Sequence, residues 1–292
     1  MTLERVVPVS VRVLIALLAT GTAHAAGPEL AGAQKLYNST DFERSLKVLQ
    51  AIPSKDGPVY ALMGRDYFMQ GDYKKATEVL EKALTMEPYN SEYALWLGRA
   101  WGRRAETSSP FTAPAHASRA RQFLEMSVRL NPMNLEAQSD LFEYYLEAPG
   151  FLGGGLDKAE TIAGHIGQIS PAEGQWAEAK LAESRKESSK AEAHLRRAIE
   201  LAPQQVGKLI ELARFLVKQG RYQEADQSFE QAEKVAPDNP RLLFARAEVY
   251  VKGHRNLDVA RQLLKRYMSM PVSPEDPPKS EAAKLLRQVE GG

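Results

Sequence analysis

The chain has 292 residues, of which 43% are hydrophobic and 26% are charged, and its formal net charge at pH 7 is +1. This composition is that of a folded protein and excludes a disordered or an integral membrane chain. The balanced charge gives no reason to expect nucleic acid or an anionic membrane as a partner, and the absence of cysteine excludes stabilisation by disulfides.

The first 25 residues differ in character from the rest of the chain. Arg5 and Arg12 lie near the start. An apolar run follows at Val13–Thr20, and the stretch ends in small residues at Ala23–Ala25. This order is typical of a secretory signal peptide that is cleaved after Ala25, and the apolar run is shorter than the roughly 20 residues that a membrane helix needs. An uncleaved anchor is the alternative. We therefore expect an exported protein, periplasmic or secreted if the source is a bacterium.

A repeat of 34 residues follows this segment and extends over most of the chain. The repeats end at prolines: Pro88, Pro132, Pro171, Pro203, Pro237 and Pro271, of which the last three follow one another at intervals of 34 residues. In the unit Val59–Pro88, apolar residues at helical spacing indicate two helices, the first ended by Gly71 and the second opened by Asp72. Small residues at the same interval, such as Gly64 and Gly98, predict places where two helices cross closely.

These residues resemble the tetratricopeptide repeat family, and the resemblance covers roughly residues 29–271. The match is best in the units that end at Pro88 and Pro237, where aromatic, leucine, small, tyrosine, alanine and proline residues stand in the family's order. The resemblance implies an all-α fold, a right-handed superhelical solenoid of about seven helix-turn-helix units. Residues 272–292 are expected to form a linker and a C-terminal capping helix.

Two units are longer than the others. The third unit has ten surplus residues, which are rich in Ser, Thr and Pro and predict a loop between its two helices. The fourth has five, in the glycine-rich stretch Glu147–Glu160. Because both surpluses fall at the same kind of turn in adjacent units, we expect the two turns to lie side by side. Phe111, Phe151 and Leu152 are candidate contact residues there, which either pack on one another or form a second contact surface.

The glycine-rich stretch also suggests a phosphate-binding loop, but its details argue against one. Such a loop needs a strand before it, a lysine directly after the last glycine, and then a serine or threonine. Here a helix precedes the glycines, and Leu156 and Asp157 stand before Lys158. Ala159 occupies the position of the hydroxyl residue. We therefore expect a structural turn, with Asp157 at the start of the following helix.

No catalytic or metal-binding motif accompanies the repeat. The histidines are isolated, no nucleophile motif is present, and the carboxylates lie on the polar faces of the predicted helices. We predict a protein without enzymatic activity, cofactor or metal ion.

Binding is therefore the predicted activity. In the family that the chain resembles, the first helices of the units line the concave face and hold an extended peptide or a partner helix. Transferred residue by residue, the resemblance gives these partner-binding candidates: Arg65, Trp96, Arg99, Arg103, Ser139, Glu143, Trp176, Lys180, Ile210, Arg214, Phe244 and Glu248. The lysine and asparagine constellation with which some members bind a C-terminal carboxylate is not matched.

Two interpretations of these candidates stay open. Arg65, Arg99 and Arg103, with Trp96 between them, form either a patch for an acidic ligand or a set of solvated arginines around a packing tryptophan. The leading hypothesis is a non-catalytic scaffold that binds a protein or peptide partner in the periplasm or outside the cell. The alternative is a module for cell-wall glycan or a small envelope ligand, with Trp96 and Trp176 stacking on sugars. The sequence does not determine the oligomeric state.

Overall fold

The computed structural model describes residues 27–291, so the predicted signal peptide, residues 1–25, lies outside the described residues. Regular structure in the described part is helical, with fifteen α-helices, one short 3-10 helix at Gly150–Leu152 and no strand. The α-helices are α1 (Pro28–Asn38), α2 (Phe42–Ala51), α3 (Gly57–Met69), α4 (Tyr73–Met86), α5 (Ser91–Thr107), α6 (Ala113–Leu130), α7 (Leu135–Glu147), α8 (Leu156–Ile169), α9 (Pro171–Ser184), α10 (Ser188–Leu201), α11 (Val206–Lys218), α12 (Tyr222–Val235), α13 (Pro240–Lys252), α14 (Leu257–Ser269) and α15 (Lys279–Glu290). None of the helices in residues 27–291 combines the length and the apolar character that crossing a membrane would require.

The first fourteen helices form seven hairpins, each an odd-numbered helix followed by an even-numbered one. The two helices of a hairpin pack on each other, and the even-numbered helix also packs on the first helix of the next unit. Several odd-numbered helices contact the next odd-numbered helix directly, as α3 contacts α5 and α11 contacts α13. The last helix, α15, packs on α13 and α14 and buries Ala282 and Val289 against them. The predicted all-α solenoid of about seven units is therefore confirmed.

The turn inside most hairpins contains one residue with a left-handed backbone. Gly71 and Gly220 adopt φ angles of 80° and 74°, which glycine reaches without strain. Lys186 and His254 hold the corresponding positions in the fifth and seventh units, with φ angles of 62° and 50°. In the second unit a capping side chain opens the second helix: Asp72 accepts a hydrogen bond from the main-chain N–H three residues on, at 3.1 Å.

Glycines allow the helices of a unit to cross closely. A Cβ atom on Gly64 of α3 would lie 2.4 Å from Leu80 Cγ on α4. A Cβ atom on Gly98 of α5 would lie 2.8 Å from a methyl carbon of Leu124 on α6. Both leucines are buried, so neither side chain can move aside without opening the core. The predicted role of small residues at helix crossings is confirmed.

The surplus of the third unit lies mainly in its helices, so the prediction of a long loop is wrong. α5 and α6 have 17 and 18 residues, and the turn between them is only residues 108–112. The added length is stabilised from inside, because Trp101 packs against His116 at 5.2 Å between ring centroids and the Arg104 guanidinium lies 4.2 Å from the indole centre. The segments that flank the serine and proline residues are rich in alanine and arginine, which are good helix formers.

Candidate functional site

A groove of about 870 Å³ is lined mainly by the first four units of the solenoid. Its walls come from α1, α3, α5, α6 and α7, and Arg241 of α13 and residues 274–278 of the linker between α14 and α15 line it as well. Tyr37 of α1 shows how near this linker comes. Burial raises the pKa of Tyr37 to about 12, Arg65 acts in the opposite direction, and the carboxylates of Asp66 and Glu275 add to the increase. The first unit and the C-terminal linker therefore meet at one groove.

The centre of the groove contains a tryptophan between two arginines. The guanidinium carbons of Arg65 and Arg99 lie 4.9 and 5.2 Å from the centre of the Trp96 ring. Phe68 meets the same ring edge-on, at 5.5 Å between centroids. Cation–π contacts at these distances are favourable, so the three predicted residues form one packed cluster.

Arg99 connects this cluster to α7 through two carboxylates. Its Nε donates a hydrogen bond to Asp140 at 2.5 Å, and a terminal amino group donates to Glu136 at 3.0 Å. Burial raises the pKa of Asp140, while the hydrogen bond and the charge of Arg99 act against that increase. The guanidinium is therefore already engaged on the side where a carboxylate ligand would bind.

The remaining arginines of the predicted patch are paired as well. Arg65 lies 3.6 Å from Glu92, and Arg103 pairs with Glu106 on its own helix. Taken together, the side chains that line the groove include eight carboxylates and four arginines, a formal charge of −4. The cluster predicted to attract an acidic ligand is thus a set of internal ion pairs in an acidic groove.

A smaller pocket of about 290 Å³ lies between α7, α9 and α11, and an ion-pair chain borders it. Lys180 Nζ lies 3.3 Å from Glu211, and Arg214 lies 3.3 Å from Glu211 and 3.2 Å from Glu248. These pairs link the first helices of the fifth, sixth and seventh units. Glu143 lines both this pocket and the larger groove, so it stands where the two meet.

Trp176 is half-buried beside the smaller pocket and does not present a free ring face. Its ring packs on Phe142 at 5.6 Å between centroids, and Lys180 Nζ lies 5.8 Å from its centre. Trp96 is covered in the same way by its two arginines. Stacking on a sugar needs an accessible ring face, so this arrangement does not favour the glycan hypothesis.

Two family models described as tetratricopeptide repeat match the chain, over residues 58–90 and 210–277. The chain therefore contains tetratricopeptide repeats in these two stretches. A thermophilic TPR protein of Thermus thermophilus superposes with a TM-score of 0.53 at 19% identity, covering 65% of this chain and 97% of its own. A tetratricopeptide repeat protein of Parabacteroides merdae gives 0.54 at 16% identity, covering 90% and 100%. These likenesses concern the fold, and no curated protein shows significant sequence similarity to the chain.

Four of the sequence candidates line neither the groove nor the smaller pocket: Ser139, Ile210, Phe244 and Glu248. Ile210 and Phe244 are 4% and 5% exposed and belong to the C-terminal hydrophobic core, so their prediction as contact residues is wrong. Their positions on α11 and α13 point toward neighbouring helices, where an apolar side chain packs. Ser139 is partly exposed but does not line the groove.

Most of the residues that line the groove were not predicted, among them Tyr37, Asp140 and Glu275. Asp140 lies one helical turn from Glu143 and could have been found on the same face of its helix. Tyr37 and Glu275 belong to opposite ends of the repeat array, and no sequence signal indicates that these ends meet.

The turns inside the third and fourth units each carry an exposed phenylalanine. Phe111 is 95% exposed at the tip of the α5–α6 hairpin, and Phe151 is 81% exposed in the turn after α7. Side chains so exposed do not pack on each other, so that alternative is wrong. Leu152 is half-buried, and its carbonyl oxygen accepts a hydrogen bond from Tyr144 at 3.0 Å.

The glycine-rich turn is held by its own lysine. Lys158 Nζ donates to the carbonyl oxygen of Gly153 at 2.9 Å, and the N–H of Gly155 donates to the carbonyl of Tyr145 at 2.9 Å. A Cβ atom on Gly154 would lie 1.8 Å from a main-chain oxygen, so only glycine fits there. The lysine that a phosphate would need is therefore used to close the turn, which agrees with the structural interpretation of this stretch.

Proposed function

We propose that this protein binds an extended segment of a partner protein in the groove between α1, α3, α5, α7 and the C-terminal linker. Tetratricopeptide repeats support a protein–protein interaction scaffold in general terms, and the groove is the finer assignment. One observation supports it above the others: successive first helices and the linker all contribute polar and aromatic side chains to a single open groove of about 870 Å³. A groove of this size suits a bound ligand.

We further propose that the protein is a scaffold and not an enzyme. Most carboxylates of the groove are partners of arginines, as Asp140 is of Arg99 and Glu92 is of Arg65. A general acid or base needs a proton to exchange with substrate, which these paired groups do not offer. A location outside the cytoplasm is part of the same proposal and rests on the pattern of residues 1–25. Amino-terminal sequencing of the exported protein tests it, since cleavage after Ala25 leaves Ala26 first.

Site-specific photocrosslinking in living cells tests the binding surface. A photoreactive amino acid at Met69 or Glu106, both of which line the groove, should capture a protein partner. The same amino acid at Glu78, an exposed position of α4 outside the groove, is the matched control. Equal capture from Glu78, or no capture from either groove position, would refute binding in the groove.

A further inference from the structure

The charges of the groove do not balance. Its lining contains eight carboxylates and four arginines, although the whole chain is close to neutral. Each of the arginines lies near a carboxylate: the three already described have partners on α5 or α7, and Arg241 lies 3.7 Å from Asp276. Each arginine of the groove therefore has a carboxylate nearby, and the charge that is left over is negative.

Three carboxylates of the groove remain without an ion-pair partner in the part of the chain that the structure describes: Glu143 and Glu147 on α7 and Glu275 on the linker. Glu143 and Glu147 are four residues apart and so lie on the same helix face. A groove with surplus carboxylates attracts positive charge, and the attraction is stronger in a partly enclosed space than on an open surface.

Glu143 is held in an unfavourable electrostatic environment. It remains accessible to solvent, yet the protein around it removes enough water to raise its pKa, and Asp140 and Glu147 raise it further. Lys180 acts in the opposite direction, but Lys180 pairs with Glu211, whose carboxylate again disfavours a charge on Glu143. A cation supplied by a partner would remove this penalty.

Tyr37 adds a second and independent feature of a binding surface. The side chain is only 5% exposed and lines the groove, and its hydroxyl makes no hydrogen bond within residues 27–291. The hydroxyl oxygen is not among the fully buried polar atoms, so it is open to the groove although the rest of the side chain is buried. The hydroxyl can donate to or accept from the main chain of a segment that lies in the groove.

We infer that the segment taken by this groove is cationic: an extended stretch of a partner protein whose lysine or arginine side chains bind Glu143, Glu147 and Glu275. The inference rests on the proposed function, because it assumes that partners bind in the groove. It reverses the ligand charge that the arginines suggest from the sequence alone.

Binding of labelled peptides to the purified protein tests the charge of the segment that the groove accepts. The probe is a fluorescein-labelled octapeptide of alternating lysine and alanine, followed by fluorescence anisotropy. Two matched peptides replace lysine with glutamine or with glutamate. We expect the lysine peptide to bind at least tenfold more tightly than the glutamine peptide, the glutamate peptide not to bind, and the affinity for lysine to fall as salt is added. Equal affinity for the lysine and glutamine peptides would overturn the inference.

A double variant locates the binding site. Glu143→Gln combined with Glu147→Gln should lower the affinity for the lysine peptide at least tenfold. The control variant, Glu78→Gln with Glu81→Gln on α4, removes the same charge outside the groove and should leave the affinity unchanged. Full retention of affinity in the first variant would contradict the inference. Circular dichroism checks that both variants are folded, and the first should not be destabilised because its carboxylates have no ion pair to lose.

The two proposals fail in different ways. If groove positions capture a partner in cells but the lysine peptide binds no better than the glutamine peptide, the cationic segment is excluded and the groove stands. If the groove positions capture nothing and the double variant retains peptide affinity, the groove itself is excluded.

Discussion

Asp66 makes the stability of this solenoid depend on pH. It lies fully buried in α3, where one oxygen accepts a hydrogen bond from Ser45 at 2.8 Å and the other has no partner among the described residues. Burial raises the pKa of Asp66 from 3.8 to about 7, and the Ser45 hydroxyl acts in the opposite direction. In the folded protein this carboxyl therefore holds its proton at mildly acidic pH, whereas in the unfolded chain it ionises near pH 4.

The size of the effect follows from the two pKa values. Between about pH 4 and pH 7 the folded state holds one proton more than the unfolded state, so the free energy of unfolding decreases by about 1.4 kcal/mol per pH unit. Asp66 therefore contributes stability that is complete below about pH 4 and is lost as the pH rises to about 7, a total of roughly 4 kcal/mol. Asp66→Asn cannot ionise, and its side-chain oxygen can still accept from Ser45. The variant should be more stable than the wild type by up to roughly 4 kcal/mol at pH 8, with little difference at pH 4.

Urea unfolding followed by circular dichroism, at intervals from pH 4 to pH 8, measures this difference. Asp258→Asn is the matched control, because Asp258 is exposed and its side chain is 89% accessible. That control should follow the wild-type pH profile. Ser45→Ala, which removes the hydroxyl that lowers the pKa of Asp66, should move the loss of stability to higher pH. Parallel profiles for the wild type and Asp66→Asn across the whole range would refute the reasoning.

Three further changes test the turns, each by thermal unfolding. Gly154→Ala places a Cβ atom 1.8 Å from a main-chain oxygen and should lower the free energy of unfolding by about 1–3 kcal/mol. The Cβ atom of Gly150→Ala has no atom within 4 Å, so this control should leave the stability unchanged. Phe111→Ser and Phe151→Ser should leave the midpoint unchanged because both rings are exposed; a large decrease would contradict their placement. Lys186→Gly removes a side chain at a φ of 62° and should stabilise by about 1 kcal/mol, and a loss of stability would show that this turn is not left-handed.

The repeat could be predicted because its signals are local. Gly71 allows the left-handed turn and Asp72 caps the following helix, so both lie in the sequence where the structure needs them. The small residues at Gly64 and Gly98 mark helix crossings for an equally local reason, since no Cβ fits there. Such requirements act within one unit and repeat with it, which is why the period alone indicates the fold.

The number of surplus residues in the third unit could be counted in the sequence, but whether they form a loop or lengthen the helices could not be predicted. Surplus residues in a repeat can lengthen a loop or two helices, and the choice depends on contacts across the hairpin. Trp101 and His116 lie 15 residues apart in sequence and meet only when both helices are extended. The serine and proline content correctly marks the turn but covers only residues 108–112.

The candidate site shows the same division between local and distant signals. The arginine–tryptophan cluster was found because Arg99 follows Trp96 by three residues and Arg65 precedes Arg99 by one repeat. The carboxylates that neutralise Arg99 lie 37 and 41 residues further on, so neither stands at the 34-residue interval of the repeat. Without that geometry the arginines have no visible partners in the sequence, so the sequence alone suggests an acidic ligand, whereas the groove leads us to propose a cationic one.

The inner face of the solenoid uses its charged groups in two ways. Pairs such as Arg99 with Asp140 and Arg214 with Glu248 join neighbouring units, so each charge is balanced inside the protein. Glu143 is not balanced, and at neutral pH its raised pKa means that its charge opposes folding. A carboxylate that costs stability and lies where two pockets meet contributes nothing to the scaffold that glutamine would not provide. A ligand that brings positive charge would remove this cost, as the proposed cationic segment does.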